Sequence, residues 1–348
     1  IVFAPQMLRW MNTPEELIAE SVLYVRVYFS GLIFIFIYNM GAAILRAVGD
    51  SKRPLYYLIV CSVVNIILDL LLILVIPLGV LGAAIATLLA RVSEFAICVV
   101  CAVRSRVIPL DLTALLHPGM DMARRFLKYA SPVVLNEAAW GLRNSLLTVI
   151  LGYTDNSVEM LAANAVMGNL SRLLLVVCFG LGAATAVLVG KAIGEGQSHQ
   201  DVLELSQELL RFSTLIGAGI AVLSLLLIPT LFVPVLFPMF KLYGESIAIA
   251  TALAVTAFAG IPLHAYAISA VTGVLRAGGD VAYATALDLL PQWVICLPIT
   301  ALCALVLKSG YWSIAIAIQV ECIVKVPFCI RRVRGGTWIH DVTRGQRT

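Results

Sequence analysis

Leu45-Arg46-Ala47-Val48-Gly49-Asp50 returns 230 residues later as Leu275-Arg276-Ala277-Gly278-Gly279-Asp280, and each copy closes a long apolar run. A second echo has nearly the same offset: Gly79-Val80-Leu81-Gly82-Ala83-Ala84-Ile85-Ala86 pairs with Gly310-Tyr311-Trp312-Ser313-Ile314-Ala315-Ile316-Ala317. Working outward, nine apolar runs are long enough to be complete membrane helices, near 21–45, 55–77, 83–103, 129–151, 160–190, 212–237, 246–273, 284–307 and 311–331. The first copies belong to the first and third runs and the second copies to the seventh and ninth, so the repeat has a period of six spans. Two six-helix halves in parallel make a twelve-helix protein, an architecture typical of transporters whose halves rock about a central cleft.

Composition agrees. Of 348 residues, 61% are hydrophobic and 13% charged, against roughly 45–50% and about 25% in soluble domains. This excludes an ordinary soluble enzyme. The runs are too long and too uniformly apolar for barrel strands, so the expected class is an all-α polytopic membrane protein. The sequence opens on Ile1 inside an apolar stretch; residues 1–8 read as the tail of a third helix, with helices 1 and 2 of the twelve missing. The expected organisation is an incomplete N-lobe over 1–106, an inter-lobe linker over 107–126, a C-lobe over 127–332 and a tail over 333–348.

Charge placement orients the chain. Seventeen Lys and Arg fall on one set of alternate connections and the tail, whereas only Arg9, Lys241 and Lys308 fall on the other. The positive-inside rule puts the C-terminus in the cytoplasm, with the spans in the cell (inner) membrane. In both copies of the repeat, Gly-Asp ends a helix and Arg sits one turn earlier near the carbonyl-rich terminus. Arg46, Gly49, Asp50, Arg276, Gly279 and Asp280 therefore read as helix stops and topology anchors, or as a cytoplasmic salt-bridge gate. All eight cysteines lie within spans as small buried hydrophobes. Tyr28, Phe29, Phe34, Phe36, Tyr38, Trp140, Tyr266 and Trp293 could line a cavity for flat cations or face lipid.

Ionisable groups at membrane depth are costly and so are functional candidates. Asp69 lies in mid-helix with Asn65 at i−4 on the same face, which suits a proton or a hard monovalent cation; the other reading is a structural pair between helices. Glu137, beside Asn136 and after Pro132, could protonate or attract a cationic substrate, or form a salt bridge to Arg143 or Arg172. Asp288 opens the eighth span, where a solvated helix N-terminus would account for it. Glu94 has Arg91 at i−3 and Glu321 has Lys325 at i+4, so both acids read as locally neutralised. His264 is the one histidine within a span and could relay protons; His117, His199 and His340 read as loop or tail residues.

The Leu-Arg-Ala-x-Gly-Asp motif followed by Ser51-Lys52-Arg53-Pro54, the Gly82-Ala83-Ala84-Ile85-Ala86-Thr87 helix start and Gly190-Lys191-Ala192-Ile193-Gly194-Glu195-Gly196-Gln197 together resemble the multidrug and toxic compound extrusion (MATE) family. The resemblance spans the whole chain. It implies a two-lobed twelve-helix fold, present here from the tail of helix 3 to helix 12, and a secondary antiporter exporting amphipathic, mostly cationic organic compounds in exchange for H⁺ or Na⁺. It implies no enzyme activity, no cofactor beyond the coupling ion, no nucleic-acid partner and a monomer in the lipid bilayer. In the DinF-like branch an Asn, an Asp and a Thr form a cation site, matched here by Asn65, Asp69 and Thr87, with no metal beyond a Na⁺ at Asp69. The NorM-like branch pairs a Glu in helix 7 with an Asp in helix 10, and the corresponding stretch here, Pro262-Leu263-His264-Ala265-Tyr266, has no acid, so the likeness is to the DinF-like branch. A flippase for lipid-linked polysaccharide precursors, within the same superfamily, is the alternative; it would need several arginines lining the cleft, and only Arg143 and Arg172 lie deep in spans.

Overall fold

The computed structural model describes residues 5–6, 15–47, 49–105 and 119–340. Most of the apolar opening, residues 107–118 of the expected linker and the last eight residues lie outside the described residues. Among those described there are helices and no strands. The chain divides into two compact units, residues 1–118 and 119–348.

Unit 1 holds α1 (Glu15–Ser30), α2 (Leu32–Ala47), α3 (Lys52–Asp69, continued as π-helix over Leu70–Val75) and α4 (Gly79–Ser105). The first expected span is thus two helices, bent by 41° between Ser30 and Leu32. Gly31 is the joint: its N–H bonds Tyr28 O at 3.0 Å, a tightened last turn that ends α1 before α2 starts. On α3 only Pro54, Tyr57 and Cys61 are buried within the unit, leaving the rest of its apolar surface for lipid or other protein.

Unit 2 holds α5 (Met120–Gly152), α6 (Ser157–Gly194), α7 (His199–Leu227, then π-helix to Leu236), α8 (Glu245–Ile268, then π-helix over Ser269–Leu275), α9 (Val281–Leu290, carried on by π and α turns to Val306) and α10 (Tyr311–Arg334). Its core joins Phe232, Phe237, Phe258, Ile261 and Leu253 to small residues such as Ala250, Ala254 and Ala265, which let α6, α7, α8 and α10 approach closely. Seven helices across the described residues are long and apolar enough to cross a membrane, or eight with the bent pair counted as one. The ninth, α5, covers the expected 129–151 span but carries Lys128, Asn136, Glu137, Arg143 and Asn144, which make it too polar to qualify. Pro132 sits inside this continuous helix.

The repeat is geometric as well as textual. Gly49 and Gly279 both have φ +87°. In the first copy Gly49 N–H bonds Arg46 O at 3.0 Å and Asp50 N–H bonds Leu45 O at 2.9 Å; in the second, Gly279 bonds Arg276 O at 3.1 Å and Asp280 bonds Leu275 O at 3.0 Å. Both are Schellman caps, in which only glycine holds the left-handed position without strain. The second echo starts a helix in both places, and the corresponding alanines, Ala84 with Ala315 and Ala86 with Ala317, are all buried.

The two caps differ in what covers them. Over Gly278 lies Trp338, 0% exposed, with Nε1 donating to Val333 O at 3.0 Å, while His340 N–H bonds Gly278 O at 2.9 Å. His199, expected in a loop, begins α7, and its Nε2 meets Gly336 O at 3.1 Å. The expected tail is therefore packed as far as His340. A Cβ on residue 278 would collide with the Trp338 ring, and one on Gly49 would meet nothing within 4 Å among the described residues. Gly49→Ala is expected to cost about 1 kcal/mol of left-handed strain, and Gly278→Ala several times the resulting shift in melting temperature in detergent, because the indole must leave its seat.

Candidate functional site

Two places carry charge at depth. In unit 1, Asp69 is the last α-helical residue before α3 widens into its π turn at Leu70. Such widenings recur at functional sites because they displace backbone groups from their usual register. Asp69 is half-buried and, among the described residues, has neither an ion-pair nor a hydrogen-bond partner. Asn65, one turn earlier, has its amide nitrogen buried without a partner. Thr87, on the adjoining α4, donates its hydroxyl to Ala83 O at 3.0 Å, which leaves its oxygen lone pairs free to accept or coordinate. No direct bond joins these three side chains; they present a carboxylate, an amide and a hydroxyl with unused capacity. Glu94, fully buried, takes the expected 2.8 Å bond from Arg91 at Oε2, while its Oε1 has no partner among the described residues.

Unit 2 holds a network that the sequence shows only in pieces. Asp288 is not at a helix start: α9 begins at Val281, so Asp288 lies two turns in. Its Oδ1 accepts from Lys325 Nζ at 2.7 Å and its Oδ2 from Asn136 Nδ2 at 2.9 Å, with Arg276 Nη2 at 3.9 Å. Lys325 therefore serves Asp288 and not Glu321. Glu321 instead faces Arg143 Nη2 at 3.3 Å, and Arg143 also donates to Cys296 Sγ at 3.3 Å. Glu137, expected beside Arg143 or Arg172, projects outward from α5 and lies 3.9 Å from Arg276; its side chain is 65% exposed. Sequence spacing ranks partners on one helix, whereas these pairs join different helices (α5, α8, α9 and α10), which only packing can reveal.

The motif residues divide similarly. Asp50 is paired locally with Arg53, at 3.0 Å to Nε, and caps its backbone N–H. Asp280 is held from α10, where Arg332 bonds it through Nε and Nη2 at 2.7 Å and stacks on Tyr283. Tyr38 is buried, with its hydroxyl on Pro54 O, while Tyr28, Phe29, Phe36 and Trp140 are exposed. A cavity of about 70 Å³ beside His264 is lined by Ser171, Leu175, Ala257, Phe258, Ile261 and Gln319. It has room for a few waters only.

The MatE family profile matches residues 1–71 and 132–302, which include Asp69, Glu137 and Asp288. The chain belongs to the MatE family. Among MatE relatives it is 28% identical over 195 residues to the probable multidrug resistance protein YpnP of Bacillus subtilis, covering 56% of this chain and 43% of that one. It is 26% identical over 307 residues to the probable multidrug resistance protein YoeA of the same organism, covering 86% and 64%. The chain thus spans less than two thirds of the length of either protein. A solved outward-facing multidrug resistance MATE transporter of the MOP superfamily superposes with a TM-score of 0.83 over 95% of this chain and 73% of that one, at 18% identity. A MOP superfamily transporter from Pyrococcus furiosus does so at 0.83 and 21% identity, over 96% and 74%. The fold is that of MATE membrane transporters.

Proposed function

We propose that the protein is a cation-coupled exporter of amphipathic, mostly cationic organic compounds, of the DinF-like branch, in which Asp69, with Asn65 and Thr87, binds the coupling H⁺ or Na⁺. The observation that carries this is the uncompensated carboxylate of Asp69 at the α-to-π junction, one turn from the unpartnered amide of Asn65. A charge held in a bilayer without a counter-ion is retained at a cost of at least about 2.5 kcal/mol, and a transported cation would offset it. Relatives named as multidrug resistance proteins favour organic cargo. In unit 2, Arg143, Lys325 and Arg276 face Glu321, Asp288 and Glu137, which leaves Arg172 as the one deep arginine without an acidic partner among the described residues, where a pyrophosphate cargo would need several. By its basic-residue asymmetry the protein lies in the cell membrane with its C-terminus in the cytoplasm, and it works as a monomer.

The deciding experiment loads proteoliposomes holding the product of the complete gene with a fluorescent organic cation and imposes a Na⁺ gradient or a pH gradient separately. One of the two should accelerate export and be dissipated by it. Export that proceeds equally with neither gradient refutes the antiport reading.

A further inference from the structure

His264 on α8 and the adjacent Glu321 and Cys322 on α10 bring an imidazole nitrogen, a carboxylate oxygen and a thiol sulfur within 4.8 Å of one another. We propose that this cluster in unit 2 is a binding site for one borderline transition-metal ion of the Zn²⁺ type, separate from the coupling site at Asp69.

Three observations beyond the clustering carry it. First, Glu321 is 8% exposed and its Oε2 makes no aligned hydrogen bond although Arg143 Nη2 is 3.3 Å away, so a buried carboxylate oxygen has unused acceptor capacity. Second, His264 Nδ1 meets Gly260 O at 3.1 Å. In the tautomer this bond selects, Nδ1–H donates and Nε2 keeps its lone pair, the way metal-bound imidazoles are oriented by a backbone carbonyl. Third, the small cavity lined by Ser171 and Gln319 reaches His264, which leaves room for a water as fourth ligand.

The donor set selects the ion. Mg²⁺ and Ca²⁺ take oxygen ligands, whereas one N, one S and one O with an open fourth position suit tetrahedral Zn²⁺. Donors on such an ion lie about 3.6 Å apart, so side-chain rotation must draw them in by roughly 1 Å. Cys322 is 2% exposed, and its thiol proton is released as the ion binds. When Glu321 turns to the ion, Arg143 keeps Cys296 Sγ and Asn144 Oδ1, the latter at 3.2 Å. The nearest other charges, Lys325 and Asp288, remain paired with each other.

The test uses the full chain, purified in detergent and stripped with a chelator. Titration with Zn²⁺ alone should show one ion per chain. Co²⁺ should give a thiolate-to-metal absorption band. Cys322→Ser should remove that band, and His264→Gln and Glu321→Gln should each raise the Kd at least tenfold, with metal-free melting temperatures reporting that the variants are folded. Zinc-edge X-ray absorption of the unmutated protein needs no variant and should find one sulfur in the shell. A shell of nitrogen and oxygen alone, the same Kd in folded Cys322→Ser and His264→Gln, or no stoichiometric binding overturns the proposal.

Discussion

Asp69→Asn, in the product of the complete gene, is expected to reduce gradient-driven export of a fluorescent cation by at least about tenfold, the change produced by 1.4 kcal/mol of lost coupling, with an unchanged melting temperature. The amide preserves shape and some hydrogen bonding but has no negative charge and binds no proton. Because Asp69 has no partner among the described residues, the substitution strands no counter-charge, and folding should tolerate it. That separates it from most buried acids, whose loss damages stability and transport together. The measurement is paired: export rate in proteoliposomes, and thermal unfolding in detergent. Export at the unmutated rate removes Asp69 from coupling. A large drop in melting temperature instead assigns it a structural bond.

Lys325→Met should behave in the opposite way. Lys325 is 5% exposed and gives Asp288 its 2.7 Å bond. Removing it leaves a buried carboxylate held by Asn136 and a guanidinium at 3.9 Å, and breaking a buried pair this way costs about 3–5 kcal/mol. The companion Lys325→Met with Asp288→Leu should recover most of the loss, since a well-packed apolar pair avoids both desolvation penalties. Unfolding of these two variants and of Asp288→Leu alone in detergent measures the cycle. A double variant no more stable than the single one would mean that Asp288 is needed by its other neighbours, Arg276 above all.

These two residues also mark the boundary of what the sequence discloses. Asp69 and Asn65 share a helix, so their spacing is a line of text; the same holds for Arg91 with Glu94 and for both Schellman caps, whose Gly-Asp endings encode their own geometry. The spans follow from run length, except that α5 is more polar than its neighbours because it feeds the network in unit 2. Asp288, by contrast, meets Lys325 and Asn136 from two other helices, across 37 and 152 residues of chain. It is not a helix-start anion, because α9 begins a turn earlier than the apolar run suggests. Helical spacing pairs Glu321 with Lys325, whereas the packing of the helices pairs it with Arg143 of α5. His264 reads alone as a proton relay and Cys322 as a buried hydrophobe, and only the approach of α8 to α10 joins them. The bend at Gly31 is marked in the sequence only by the Ser30-Gly31 pair, which apolar run length passes over.

The network in unit 2 sums to zero, with Arg143, Lys325 and Arg276 against Glu321, Asp288 and Glu137. A neutral assembly moved through an electric field does no electrical work, whatever the strength of its internal bonds. The membrane voltage, worth about 2.3 kcal/mol per elementary charge per 100 mV, therefore has no purchase on that network. It acts on Asp69 while that carboxylate is empty and ceases to act on it once a cation is bound. Beyond the charge of the cargo itself, the voltage then reaches the coupling step through the occupancy of Asp69 in unit 1.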